Sequence, residues 1–290
     1  MNIGIRQDNA SWPVGSGNRD SAASAGNDPT ITGRLLGIWR LGEPLHEAAS
    51  SRLWTAQPAD CVGSNRWDYV VKSSAREGAG EASARLGRFI SAATAVRHPN
   101  LVTVLDGCVE ATEPFLVMPR LPSRSLADFV QSGTVQPLPV ILWLARQTAD
   151  AVAALHRAGF VHGDLCAENV LLTPQGHATV IGLGDARRQP PQVQLHADDI
   201  VATAADDADS LGRILWQLLP LSDREAALGE GPAASVWEAV ADLIAELIDP
   251  ERDRRPTIDQ AVARLMRLEL DSLGKLIRPE TPWRSFAKAA

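Results

Sequence analysis

The octapeptide His162-Gly163-Asp164-Leu165-Cys166-Ala167-Glu168-Asn169 places an aspartate five residues ahead of an asparagine. It follows Val140 to Ala158, where apolar residues recur at three and four spacing as they do on one face of a helix. Taken alone, an Asp and an Asn at this spacing cap turns of a loop. The stretches on either side give the octapeptide its meaning.

Upstream, from Leu35 to Lys72, the pattern is of short β-type runs: Ile38 to Leu41, Arg52 to Thr55 and Trp67 to Lys72, separated by polar or glycine-containing turns. A helix-compatible stretch follows over 80–97, then His98-Pro99-Asn100 as a break, then strand-like runs Leu101 to Leu105 and Phe115 to Met118. This predicts a lobe of five antiparallel strands and one helix. Beyond Ser125 the periodicity is helical, over Val140 to Ala158, Ser210 to Leu219, Ser235 to Ile248 and Thr257 to Leu268. The class is therefore α+β, with a small β lobe over 33–120 and a larger, mainly α-helical lobe over 121–270. Residues 1–32, rich in Gly, Ser, Asn, Asp and Ala, read as a disordered arm, and 271–290 as a tail.

Composition narrows the partners. A net charge of −7 and the lack of any long Lys/Arg block argue against nucleic acid. Cys61, Cys108 and Cys166 lack the paired spacing of a zinc site or a disulfide framework, which fits a reducing cytoplasm. The apolar segments are broken by charge before about 20 residues, so no membrane segment is expected. Tryptophans at 143, 216 and 237, all in helical stretches, read as packing residues.

The order of elements, with a hinge near Met118 to Ser125, resembles the eukaryotic-type protein kinase family over roughly residues 35–270. Val70-Val71-Lys72 resembles the third-strand VAIK motif, and His98-Pro99-Asn100 the segment after the C-helix. Phe115-Leu116-Val117-Met118 resembles the strand entering the hinge. Asp207 to Gly212 resembles the start of the long F-helix, and Arg254-Arg255-Pro256-Thr257 the last subdomain. His162 to Asn169 then stands where the family has HRDLKPEN. The resemblance implies a bilobal kinase fold and ATP with Mg²⁺ as cofactors. It implies Asp164 as the base that accepts the proton of the attacking hydroxyl, Asn169 as a metal ligand, and Lys72, Val70, Met118, Leu121 and Leu171 around the nucleotide. His162, Asp207 and Arg255 take structural roles.

The departures from that pattern are as informative as the matches. Thirteen residues after Asn169, where the family's DFG motif begins, stands Gly182, so the metal-binding carboxylate is missing; Asp185 is the candidate substitute. His46, Ala48 and Ser51 fall on the three glycines of the phosphate loop, and Phe89 on the C-helix glutamate. Gly163 replaces the HRD arginine, and Cys166 the catalytic-loop lysine. No Ala-Pro-Glu motif occurs, which leaves Asp198 or Asp199 as partners for Arg255. The pattern predicts a degenerate, bacterial-type pseudokinase, with impaired or absent phosphotransfer, that acts as a scaffold or regulator by binding a protein partner, an active kinase or a signalling protein. An active serine/threonine kinase is the alternative and a small-molecule phosphotransferase the third reading, the last because His-Gly-Asp and Gly184-Asp185-Ala186 also resemble aminoglycoside-type kinases.

Overall fold

The computed structural model of the chain describes residues 33–48, 51–61, 63–74, 79–189, 202–222 and 232–276. The arm over 1–32 and the Asp198 and Asp199 pairing lie outside them. The fold is bilobal α+β. In the first lobe an antiparallel sheet has the order β1 (Leu35–Leu36), β2 (Trp39–Glu47), β3 (Ser51–Pro58), β4 (Tyr69–Ser74), β6 (Phe115–Pro119) and β5 (Asp106–Cys108), with α1 (Ala79–Ala95) between β4 and β5 in sequence. The sheet has six strands rather than five because Leu35 and Leu36 fold back on Arg40 and Trp39.

Each face of this sheet buries its own set of side chains, the consequence of strict alternation along a strand. Trp39, Leu41, Trp54, Val71, Phe115 and Val117 pack on the outer face with Leu36. Leu53, Val70, Leu116 and Met118 face inward and join α1 and the second lobe in the main core.

Leu101 to Leu105, expected as a strand of this sheet, reaches it only at its end, where Leu105 N–H donates to Val117 O of β6 at 2.8 Å. Its start instead docks on the second lobe, Val180 N–H donating to Asn100 O at 2.8 Å and Val102 N–H to Val180 O at 2.9 Å. The strand is instead Asp106–Cys108, where glycine fits closely: a Cβ on Gly107 would sit 3.0 Å from Phe115 O.

The second lobe is built around α3 (Leu138–Arg157). By length and composition this helix is apolar enough to cross a membrane, but 61% of its apolar window is packed inside the lobe, as expected of a core helix. It is preceded by β7 (Arg124–Ser125) and α2 (Leu126–Gln131), whose start is a capping box between Ser125 and Asp128. Strands β8 (Phe160–Val161), β9 (Val170–Leu172), β10 (Ala178–Val180) and β11 (Arg187–Arg188) bracket the octapeptide and the glycine-containing turn after it. Helices α4 (Ala204–Leu218), α5 (Pro232–Leu247) and α6 (Ile258–Leu276) complete the lobe, α4 opening on a second capping box, Thr203 with Asp206. Helix α6 runs through residue 270, so the boundary expected there falls inside a helix. Trp143 and Trp237 pack against the core, whereas Trp216 is 66% exposed and does not serve as a packing residue.

Candidate nucleotide cleft

The loop carrying Asp164 is held from beneath by Asp207. This buried carboxylate accepts from His162 N–H at 2.8 Å and Gly163 N–H at 3.0 Å, and pairs with His156 Nε2 at 2.8 Å. His162 is fully buried; its Nε2 faces Ile181 O at 2.8 Å and its Nδ1 faces the Asp164 N–H at 3.3 Å. Only the neutral imidazole protonated at Nε2 satisfies both contacts. Arg255 ties α4 to the turn before α6, donating to Asp249 O at 2.7 Å and Ala205 O at 2.8 Å, with Asp206 and Asp209 each 3.7 Å away. His162, Asp207 and Arg255 thus have framework roles, and Arg255 has partners without Asp198 or Asp199.

Between the lobes, Lys72, Asp164 and Asn169 line one cleft together with Ser51, Leu53 and Met118. Val70 pairs with Met118 across β4 and β6, and both are buried with Leu171 in the main core, but of these three expected nucleotide residues only Met118 lines the cleft. Leu121 does not line the cleft; it faces a separate groove behind the hinge. Near the place of a phosphate loop, Ala48 N–H donates to Ser51 O at 2.9 Å. His46 pairs with Leu53 in the ladder.

The charged groups do not form a metal site. The Asn169 amide nitrogen donates to Asp164 O at 2.8 Å and to Asp164 Oδ2 at 3.1 Å, so it satisfies the carboxylate within the loop. The rest of that amide lies against Gly182: a Cβ there would fall 2.5 Å from Asn169 Cγ, and Gly182 has a φ of +83°. The place of the missing carboxylate side chain is therefore already filled. Asp185, the expected substitute, is turned toward α1, where it is ion-paired with Arg85 and lies 3.9 Å from Arg88. Arg88 also donates to Gly184 O at 2.8 Å. Among the described residues, no group of three or more His, Cys, Asp or Glu side chains could hold a metal ion. These residues do not fit Mg²⁺.

Arg85 and Arg88 are the residues that sequence reasoning missed. They sit on α1, Arg85 lining the cleft and ion-paired with Asp185, and Arg88 donating to Gly184 O. Phe89 occupies the glutamate place itself, its ring centre 6.0 Å from Lys72 Nζ. Burial and the nearby Arg85 guanidinium bring Lys72 down to about 8, against the opposing pull of Asp185 and Asp164. Burial pushes the Asp164 carboxyl up, and nearby Asp185 adds to it, against the Asn169 hydrogen bond. Burial, reinforced by Asp164, pushes the Cys166 thiol up to about 12. With Arg85, Leu86 and Phe89 projecting from α1, the enclosed space is about 50 Å³, far below the several hundred of a typical small-ligand pocket.

Residues 40–198, more than half of the chain, match the family described as protein tyrosine and serine/threonine kinase. The chain is 31% identical over 178 residues to the serine/threonine-protein kinase PkaA of Streptomyces coelicolor, covering 57% of this chain and 33% of that protein. It is 31% identical over 167 residues to the serine/threonine-protein kinase PknL of Mycobacterium tuberculosis, covering 56% and 38%. A probable serine/threonine-protein kinase of Clostridium perfringens is 27% identical over 120 residues, covering 40% and 18%. The matched region spans less than two fifths of the length of each of these relatives.

Proposed function

Because the chain belongs to the protein tyrosine and serine/threonine kinase family, we propose that it is a pseudokinase: a kinase fold that acts by binding a protein partner, an active kinase or a signalling protein, rather than by transferring phosphate. One observation carries this reading. The metal-binding carboxylate is replaced by Gly182, and the Asn169 amide packs into its place while Arg85 takes Asp185 away. Phosphoryl transfer depends on positioned cations that neutralise the triphosphate, and that electrostatic contribution has no carboxylate pair here to organise it. The filled cleft and the arginine-bearing α1 point the same way. A cytoplasmic location belongs to the proposal and draws support from three free cysteines, two of them exposed.

The test is transfer of the γ-phosphate of ATP, with Mg²⁺, to a generic protein substrate and to the chain itself. The expected rate equals that of Asp164→Ala. Transfer that depends on Asp164 and Asn169 would favour the second reading, a weak serine/threonine kinase. That alternative is supported by Lys72, Asp164 and Asn169 still lining one cleft.

A further inference from the structure

Behind the hinge lies an open groove of about 1100 Å³ that shares no lining residue with the nucleotide cleft. Its apolar walls are Trp67 from the first lobe, Leu121 and Pro122 from the hinge, and Phe129, Val140 and Trp143 from the second. Glycines seat two of these rings. A Cβ on Gly176 would fall 2.6 Å from the Trp143 ring, and one on Gly42 would fall 2.7 Å from the Trp67 ring, so each indole lies against backbone with no side chain to displace it. Both tryptophans remain partly exposed.

The charged residues lining the groove are Arg66, Arg120 and Arg124 against Asp68 alone. Asp68 is taken up by Arg66 at 2.9 Å. Arg120 makes one long contact, 3.5 Å to Trp67 O, and the Arg124 guanidinium lies 4.8 Å from the Phe129 ring centre; among the described residues neither meets a carboxylate. Asp128, on the same helix as Phe129, accepts from Ser125 N–H and Ser125 Oγ and does not line the groove. This local excess of guanidinium is opposite in sign to the chain as a whole, whose net charge is −7.

Those two features select an occupant. Arginine presents its N–H donors in a planar fork that matches a carboxylate, and a guanidinium over a ring keeps those donors around its edge. Partly exposed aromatic walls take large apolar side chains. The volume lies above the range of about 300–1,000 Å³ for small-molecule pockets, which favours a stretch of polypeptide. A nucleic acid also offers anions and rings, but it brings charge at every residue toward a net-negative chain. A short acidic segment responds to the nearby arginines, because charges beyond about 8 Å are screened at physiological salt.

We propose that this groove docks a linear acidic segment of a protein partner, with Asp or Glu side chains on Arg120 and Arg124 and a large apolar side chain on the Trp143 wall. A displayed library of random peptides, selected on the immobilised full chain, tests the proposal. The selected peptides are expected to be rich in Asp and Glu beside Trp, Phe or Leu and to bind more weakly as salt rises. They are expected to lose about tenfold in affinity toward the double variant Arg66→Glu with Arg120→Glu. Both of these side chains are exposed, and an unchanged melting temperature shows that the variant is folded. Should it fall, Arg120→Gln alone gives the same reading with a smaller loss.

An absence of enriched peptides, peptides without an acidic excess, or equal affinity for the variant overturns the proposal. So does displacement of the peptides by single-stranded oligothymidine at equal concentration. Binding only at dilutions where the chain is monomeric also overturns it, since the occupant is then a second copy. Binding only after removal of residues 277–290 does so too, since the occupant is then this chain's own end. No nucleotide is present in the assay, so its failure leaves the reading of the cleft untouched, and phosphate transfer in the cleft leaves the groove untouched.

Discussion

Gly182 combines a φ of +83° with the Asn169 amide packed against its Cα, so an L side chain there meets both backbone strain and a steric block. Restoring the family's carboxylate with Gly182→Asp is expected to lower stability by about 1–3 kcal/mol and to confer no Mg²⁺-dependent rise in melting temperature. Denaturant titration with and without Mg²⁺ checks both. Lys72 gives a pH signature. Its folded value of about 8 lies below the 10.5 of the free side chain, so between those values the unfolded chain holds a proton that the folded chain has released. Stability attributable to this group therefore rises with pH across that window, and at pH 7 the buried ammonium is a cost. Lys72→Met is expected to stabilise the fold at pH 7, by up to on the order of 2 kcal/mol, and to flatten the rise between pH 8 and 10.5 in urea titrations. Cys166, pushed up to about 12, is expected to resist iodoacetamide at pH 8 while the exposed Cys61 and Cys108 are alkylated. Mass spectrometry of the labelled chain shows which thiols reacted.

Helix α1 and the short helical turn Leu183–Asp185 form one unit, locked by Arg85 to Asp185 and by Arg88 to Gly184 O. Arg88→Ala removes a charge-assisted hydrogen bond from this unit and is expected to cost about 1–2 kcal/mol and to raise amide exchange over Leu183 to Ala186. Resemblance to the kinase family made the catalytic loop, the Val70-Val71-Lys72 strand, the hinge strand and the start of α4 legible, because each carries a local motif in register with the next. The arginine lock was not legible. Which α1 side chains meet Asp185 depends on how the helix is rotated against the second lobe, and a hundred residues separate Arg85 from Asp185. The Leu101 to Leu105 run misled for a related reason. An apolar run needs backbone partners, and here they are split, β10 bonding Asn100 and Val102 and β6 only Leu105. Trp216 misled because α4 buries Leu215 and Leu218 on one face and turns Trp216 to solvent on another.

On the scale of the molecule, the framework of the family is intact while its electrostatics are rebuilt. Asp207 still gathers the catalytic-loop backbone, and the core still spans both lobes. Arg85 and Arg88 on α1 are fixed in the fold, one ion-paired with Asp185 and the other donating to Gly184 O. The central claim is that the cleft no longer takes Mg²⁺-ATP. Thermal denaturation of the full chain with and without millimolar Mg²⁺-ATP tests it most directly. A ligand at a hundred times its dissociation constant would add about 2.7 kcal/mol, a shift of roughly 5–10 °C for a chain of this size. The account predicts no shift; a metal-dependent shift of that size, abolished by Lys72→Ala and by Asn169→Ala, would contradict it.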